Sequence, residues 1–236
     1  MKKKGKILKK RGDWNFGKKV PNNFVPHITK SVPFYFQGHD VIKFASDFFL
    51  KNNSICYDIG CSTAELLIKL SSFSNKKVKF IGIDSEKAMV KFSKKLLKKN
   101  KIKNIIIRNE DITRMNLKKS DMVISYYTIQ FIPPKFRQIV IKKIFNSLNW
   151  GGAFFFFEKI RGADARFQDI LTSLYSDFKE SNGITIKEID NKQKSLRGVL
   201  EPFSEKGNLD MLKRAGFKDI MPIFQYLNFK GYLCIK

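Results

Sequence analysis

Ten residues, Ile55-Cys-Tyr-Asp-Ile-Gly-Cys-Ser-Thr-Ala64, followed by Lys79-Phe-Ile-Gly-Ile-Asp84, fix most of what this chain can become. An apolar run that stops at a glycine, a helix-forming stretch and a second apolar run that stops at an acid describe a strand, a tight turn, a helix and a strand. In a Rossmann-like sheet that order holds a nucleoside: the glycine lets the backbone approach the ligand, and the acid accepts hydrogen bonds from both ribose hydroxyls. A dinucleotide site would carry a further glycine opening the helix to seat its pyrophosphate, and the turn Gly60-Cys61-Ser62-Thr63-Ala64 has none. The expected ligand is S-adenosylmethionine. From these residues alone, an ordinary α/β turn with a helix-capping acid reads the same way.

The rest of the chain continues the alternation. A helix over 38–50 precedes strands expected at 54–59, 78–83, 104–108, 122–126 and 153–157, with helices at 64–72, 86–99 and 136–148 between them. The segment up to Pro33 is turn-rich, and Asn149-Trp150-Gly151-Gly152 reads as the end of the 136–148 helix. Strands alternating with helices argue for a parallel, doubly wound sheet. After a helix at 208–215, two strands at 221–228 and 231–235 are separated by so few residues that they must pair as an antiparallel hairpin. The fold class is therefore α/β, a Rossmann-like class I methyltransferase fold with a seven-stranded, mostly parallel sheet and an antiparallel C-terminal hairpin. One domain over 1–236 is expected, with a basic tail and helical cap at 1–53 and a helical insertion at 160–205 placed where a lid would sit. Asp13-Trp14-Asn15-Phe16 reads as the first point of docking onto the fold.

Lys and Arg number 46 against 21 Asp and Glu, a net charge of +25 that would attract a phosphate backbone or an acidic small molecule. Codon bias in an A+T-rich genome explains the same excess, because Lys, Asn, Ile and Phe are enriched together. Direct RNA contact stays open. Cys56, Cys61 and Cys234 show neither CxxC spacing nor a nearby His pair, so buried thiols are expected and no metal. The basic start lacks the apolar core of a signal peptide and no run is long enough to span a membrane, so the expectation is a cytoplasmic protein without membrane contact.

Ligands of an open α/β sheet bind beyond the carboxyl ends of its strands. Those ends deliver Gly60, Cys61 and Ser62 toward the methionine portion, Asp84 and Ser85 toward the ribose, Asp111 and the Ile112 amide toward the adenine, and Tyr126 with Tyr127 after the fourth strand. Tyr35, just before the leading helix, would fold over the open side of the site, or serve only as a packing aromatic. Glu158 would face the pocket or pair with Lys159 or Arg161. No Ser/His/Asp or Cys/His constellation is present, and no catalytic residue is assigned.

These motifs resemble a known family. Asp13-Trp14, Ser31-Val-Pro-Phe-Tyr35, Tyr57-Asp-Ile-Gly-Cys-Ser62, Ile83-Asp84-Ser85, Glu110-Asp-Ile112, Thr128-Ile-Gln-Phe131, Leu148-Asn-Trp-Gly-Gly152, Glu158-Lys159, Asp177-Phe-Lys179 and Phe224-Gln225 are similar to the carboxy-S-adenosylmethionine synthases, nearly end to end. The resemblance implies a transferase that does not hand on the methyl group: prephenate loses carbon dioxide and water, and a sulfonium ylide formed at the methyl captures the carbon dioxide. It implies a homodimer, and a product consumed by a partner enzyme that carboxymethylates hydroxyuridine at the tRNA wobble position. The ligand positions it implies are Tyr35, Gly60, Cys61, Ser62, Asp84, Ser85, Asp111 and Ile112.

Two departures stand out. Tyr126 replaces a family Asn and cannot make the same two-sided amide bonds. Gln193 replaces an Arg that grips the new carboxylate, and its neutral donors are about half as strong; Lys192, Lys194 and Arg197 are the neighbouring cations. Two other readings therefore stand beside the synthase: a conventional methyltransferase on RNA or a small molecule, and a non-catalytic S-adenosylmethionine- or RNA-binding module.

Overall fold

The computed structural model describes residues 12–14, 17 and 20–236. Residues 1–11 of the tail expected over 1–12, and the Asn15-Phe16 half of the docking segment, lie outside the described residues. Gly12 and Trp14 donate backbone hydrogen bonds to Lys194 O and Ser195 O, at 3.4 and 3.2 Å, so the docking point sits on a late helix.

In chain order the elements are α1 (Val20–Ser31), α2 (Tyr35–Ser46), β1 (Ile55–Ile59), α3 (Glu65–Phe73), β2 (Lys79–Asp84), α4 (Lys87–Lys99), β3 (Ile105–Asn109) and β4 (Ser120–Tyr126). A 3-10 turn (Ile129–Phe131) leads into α5 (Pro134–Ser147) and β5 (Leu148–Lys159), followed by α6 (Ala165–Ser181), α7 (Ile186–Leu196), α8 (Glu205–Ala215), β6 (Asp219–Tyr226) and β7 (Phe229–Ile235). The seven strands lie in the order β3-β2-β1-β4-β5-β7-β6. Strands β1 to β5 are mutually parallel, while β7 runs antiparallel between β5 and β6. The strand order reverses direction at β1 and β4, and in such a sheet that switch point opens a crevice for a ligand.

Phe154, Phe155, Phe156 and Phe157 of β5 are all fully buried, as a strand covered on both faces requires. Phe155 and Phe157 share one face with Cys56, Phe80, Met122 and Ile124, packed against α2, α3 and α4. Phe154 and Phe156 share the other with Tyr57, Val123, Val140, Ile144 and Leu212, under α5 and α8. Each fully buried Phe contributes about 1.5–3 kcal/mol of transfer free energy. The thiols of Cys56, Cys61 and Cys234 are free and buried, and burial pushes each one up. Among the described residues no helix is long and apolar enough to cross a membrane.

Three expectations need correction. The turn-rich stretch before Pro33 contains α1: Pro21 sits in the first turn, where its missing N–H costs little, and the bond that Pro26 gives up is offset by packing of Ile28 on the core. Helix α2 starts at Tyr35 rather than residue 38. Strand β5 starts at Leu148, so the segment read as the end of a helix is strand. Gly151 N donates to Lys236 O and Lys236 N donates to Gly152 O, at 2.7 and 3.1 Å, while Asn149 Nδ2 reaches Asp121 Oδ1 at 2.8 Å.

Candidate S-adenosylmethionine site

Gly60 turns the chain at the carboxyl end of β1 with φ +75°. A Cβ there would lie 2.2 Å from Thr128 Oγ1, so only glycine lets this turn close on the loop after β4. The Gly60 and Cys61 amides donate to Ile83 O at 2.7 and 3.1 Å, and Ser62 N donates to Asp84 Oδ2 at 2.9 Å. Glu86 N occupies Asp84 Oδ1 at 2.8 Å, so the acid steadies the entry to α4 as well as the β1 turn. Each carboxylate oxygen keeps a second lone pair, enough for two ribose hydroxyls. Burial, opposed by those two backbone donors, raises this carboxyl above the usual range. Ser62 and Ala64 both hold positive φ, +51° and +66°, and such strain collects where a ligand is gripped.

Asn109 clamps the next loop, its Nδ2 bonding Asp84 O at 3.0 Å and Ser85 O at 2.9 Å. Asp111 is turned to local work: Oδ1 accepts from Thr113 N and Oγ1, at 2.9 and 2.8 Å. Ile112 is buried beside it, its carbonyl accepting from Lys143 Nζ at 3.0 Å. Gly60, Cys61, Ser62, Asp84 and Ser85 are thus drawn together by hydrogen bonds, with Asp111 and Ile112 on the adjoining loop.

Tyr35 and Tyr126 meet across the other side. Tyr126 Oη donates to Tyr35 O at 2.7 Å, their rings are 5.3 Å apart, and His39 packs against both at 4.6 and 4.7 Å. Both His39 ring nitrogens are buried without a partner among the described residues, and burial, with Lys69 nearby, pushes the imidazole down to about 3. It is neutral at every working pH. A cleft of about 240 Å³ lies outside Tyr35, lined by Thr29, Phe34, Gln37, Phe178 and Asn182.

Two acids without an assigned role from sequence belong to this group. Asp58, inside β1, is pushed up to about 7 by burial and then by Asp84. Glu65, opening α3, is also raised by burial, and after burial itself Asp58 and Glu65 both push the Tyr35 phenol up. None of Asp58, Glu65 and Asp84 pairs with a Lys or Arg among the described residues. In a chain of net charge +25, three carboxylates without a cationic partner make this end of the sheet locally negative. The signal in the sequence is an acid in the middle of an apolar strand, at Asp58.

Glu158 points to the opposite face from Lys159 and pairs with neither Lys159 nor Arg161. Its Oε1 accepts from Ile129 N at 3.1 Å, and burial, against the attraction of Arg137, raises it to about 8. Arg137 is buried and donates to Ile132 O, Gln130 O and Glu201 O at 2.7, 2.9 and 2.6 Å, fixing the loop that begins at Tyr127. On α7 Gln193 is exposed, as is Arg197, and Lys194 pairs with Asp190 at 2.6 Å. Lys192 is the cation of that group that turns inward, reaching His27 Nε2 and lying 5.2 Å from the Trp14 ring.

A family model described as a methyltransferase domain matches residues 50–216. The carboxy-S-adenosyl-L-methionine synthase of Staphylococcus epidermidis is 37% identical over 224 residues, covering 94% of this chain and 97% of that protein. The protein of the same name from Sulfurimonas denitrificans is 35% identical over 231 residues, 98% of this chain and 97% of its own. Among solved structures, an S-adenosyl-L-methionine-dependent methyltransferase from Methanococcus maripaludis superposes with a TM-score of 0.63 at 18% identity, covering 94% of each chain. Human N-acetylserotonin methyltransferase, solved with S-adenosylmethionine, gives 0.63 at 15% identity over 93% of this chain and 56% of its own. At those identities the structural likeness speaks for the fold alone, a class I methyltransferase fold. The full-length similarity to the synthases goes further: this chain is a transferase-type enzyme belonging to the carboxy-S-adenosyl-L-methionine synthase family.

Proposed function

We propose that the protein converts S-adenosylmethionine to carboxy-S-adenosylmethionine with prephenate as carboxyl donor, acts in the cytoplasm, and supplies a tRNA wobble-uridine carboxymethyltransferase. The observation that carries this reading is similarity along nearly the whole chain to proteins named for that synthesis. The carboxylates gathered beside the carboxyl ends of β1 and β2 support it, since the substrate presents an ammonium and a sulfonium. In this reading Asp84 accepts the ribose hydroxyls and the Gly60–Ser62 backbone lies against the methionine portion. Asp58 holds the ammonium, Asp111 and Ile112 edge the adenine, and Tyr35 with Tyr126 shields the reacting methyl from water. Carbon dioxide and hydroxide leave the donor, the hydroxide departs as water with a methyl proton, and the new carbon–carbon bond joins the methyl carbon to carbon dioxide. A homodimer is part of the proposal: Phe167, Ile170 and Leu174 are exposed on one side of α6 at the spacing of a packing face.

The test is a mass spectrum of the nucleoside recovered after incubating protein, S-adenosylmethionine and prephenate. A species heavier by one carbon dioxide is expected, and recovery of unmodified S-adenosylmethionine alone would sink the reading. One observation favours a second reading: Gln193, at the position of the carboxylate-gripping Arg, is exposed on α7. A conventional methyltransferase would put labelled methyl on tRNA or a small molecule in the absence of prephenate.

A further inference from the structure

Side chains alternate along a strand, so Asp58 of β1, Tyr126 of β4 and Phe157 and Lys159 of β5 project from the same face of the sheet. Crossing that face from β1 toward β7, the charge changes sign. The acids lie at one end; at the other, Lys159 Nζ sits 4.0 Å from the centre of the Tyr175 ring and 5.8 Å from that of Phe229. Lys179 Nζ lies 4.2 Å from the same Tyr175 ring, which is anchored by its hydroxyl to Ser31 O at 2.8 Å. Lys159 and Lys179 form no ion pair with a carboxylate among the described residues; Lys159 lies against Tyr175 of α6, and Lys179, on α6 itself, is half-buried.

Tyr127 stands between the two ends. Its ring is 4.6 Å from Tyr126 on the acidic side and 5.5 Å from Phe229 on the basic side. Its hydroxyl is buried within hydrogen-bonding reach of Tyr126 Oη and has no other partner among the described residues; burial first, then Glu158, push the phenol up. The backbone is held at φ +59°, with Tyr127 N bonded to Phe157 O at 2.9 Å. Two ammoniums that share one ring and lack a carboxylate partner have the chemistry of an anion receptor, and Tyr127, at a strained loop position, borders them across Phe229.

We infer that Lys159 and Lys179, with the Tyr127 hydroxyl, form a subsite for a carboxylate of the second substrate, an organic acid with two carboxylates, one held here while the other is given up toward the sulfonium methyl. The inference rests on the synthase reading for the identity of that acid. Lys159 is the informative residue. Burial first, then Lys179 from α6 and Lys192 from α7, push its ammonium down to about 7. Tyr175 also faces it, its phenol pushed up by burial; Tyr127, raised by burial and then by Glu158, borders Phe229 beside it, and His27 from α1 contacts Lys192. At pH 8 Lys159 is therefore mostly neutral, and an arriving carboxylate would draw a proton onto it.

The experiment is calorimetric titration of prephenate into the S-adenosylmethionine-loaded full chain at pH 8, in two buffers of unequal ionisation heat. The wild-type protein should bind with uptake of about one proton or somewhat less. Lys159→Met should abolish the uptake and weaken prephenate about tenfold or more while S-adenosylmethionine affinity stays within about twofold. Lys179→Gln should weaken prephenate similarly, and Lys159→Arg should restore affinity without proton uptake, because its charge is permanent. A purely structural cation–π role would move neither proton count nor prephenate affinity, and that result overturns the subsite, as does failure of the loaded wild-type protein to bind prephenate. The two proposals fail separately. Prephenate bound through these lysines with no carboxylated product refutes the synthase reading alone, whereas product formed equally well by wild-type and both lysine variants refutes the subsite alone.

Discussion

Replacing Gly38 by Ala would place a methyl 2.1 Å from Tyr126 Oη, 3.1 Å from Cζ and 3.2 Å from Cε2. The phenol cannot stay, so its 2.7 Å bond to Tyr35 O is surrendered. Overpacking of this kind costs about 1–3 kcal/mol and the lost bond about 0.5–1.5 kcal/mol. Alanine gives back about 0.5–1 kcal/mol in a helix interior, leaving a net loss of about 0.5–4 kcal/mol. In a Tyr126→Phe background the worst contact is gone and the ring carbons need to yield only a few tenths of an ångström, so the same substitution should cost less than about 1 kcal/mol. Urea unfolding of wild type, both single variants and the double variant, read at a common m-value, should give a coupling of about 1–3 kcal/mol. Additivity within about 0.5 kcal/mol would refute the close approach of α2 to Tyr126. The same four proteins titrated with S-adenosylmethionine would show whether that contact shapes the site, with Gly38→Ala expected to bind most weakly.

Three further outcomes follow from the geometry. Asp58 holds its proton to about 7 in the fold against 3.8 ordinarily, so its contribution is complete below pH 4 and lost as pH rises through 7. Asp58→Asn should flatten that step and be more stable than wild type at pH 8 by an amount on the order of 4 kcal/mol, read by urea unfolding across pH, while binding S-adenosylmethionine more weakly. Asp84→Ala removes the partner of the Ser62 and Glu86 amides, and should reduce S-adenosylmethionine affinity at least about tenfold by calorimetry while circular dichroism stays native. Arg137→Met leaves the Ile132 and Glu201 carbonyls without donors and lets the Glu158 carboxyl rise further, costing about 3–5 kcal/mol and lowering Tm by roughly 6–20 °C.

Strands with long apolar runs were the most legible elements in the sequence. Phe154–Phe157, the Ile55–Ile59 run and the final hairpin are continuous or alternating apolar segments bounded by turn residues, and tertiary packing had no reason to overrule them. Helix α1 was hidden because Pro21 and Pro26 are local vetoes on helix, outweighed by burial of residues such as Ile28 that only the assembled core makes possible. The start of β5 was hidden for a related reason: Asn149-Trp-Gly-Gly152 has the chemistry of a helix end, but its backbone groups find Lys236, far away in sequence. At the site, Gly60 and Asp84 carry their signal in one local motif. Asp58 and Glu65 do not, since their significance is the missing cation, and Lys159 matters through rings supplied by α6 and β7. Glu158 was open between pocket and ion pair, and proximity in sequence to Lys159 was misleading, because neighbours on a strand face opposite sides.

Strand β6 forms one border of the sheet, and Pro222 stands in its middle, opposite Tyr232, with the pairing slipping before Phe224. A proline has no amide hydrogen to offer outward, and the slip bends the ribbon away from a straight template. A foreign strand could not zip along this border for more than a few residues before the ladder broke. The molecule can therefore carry exposed Met221 there without inviting fibre-like growth, and recognition on this flank is left to side chains rather than to main-chain pairing.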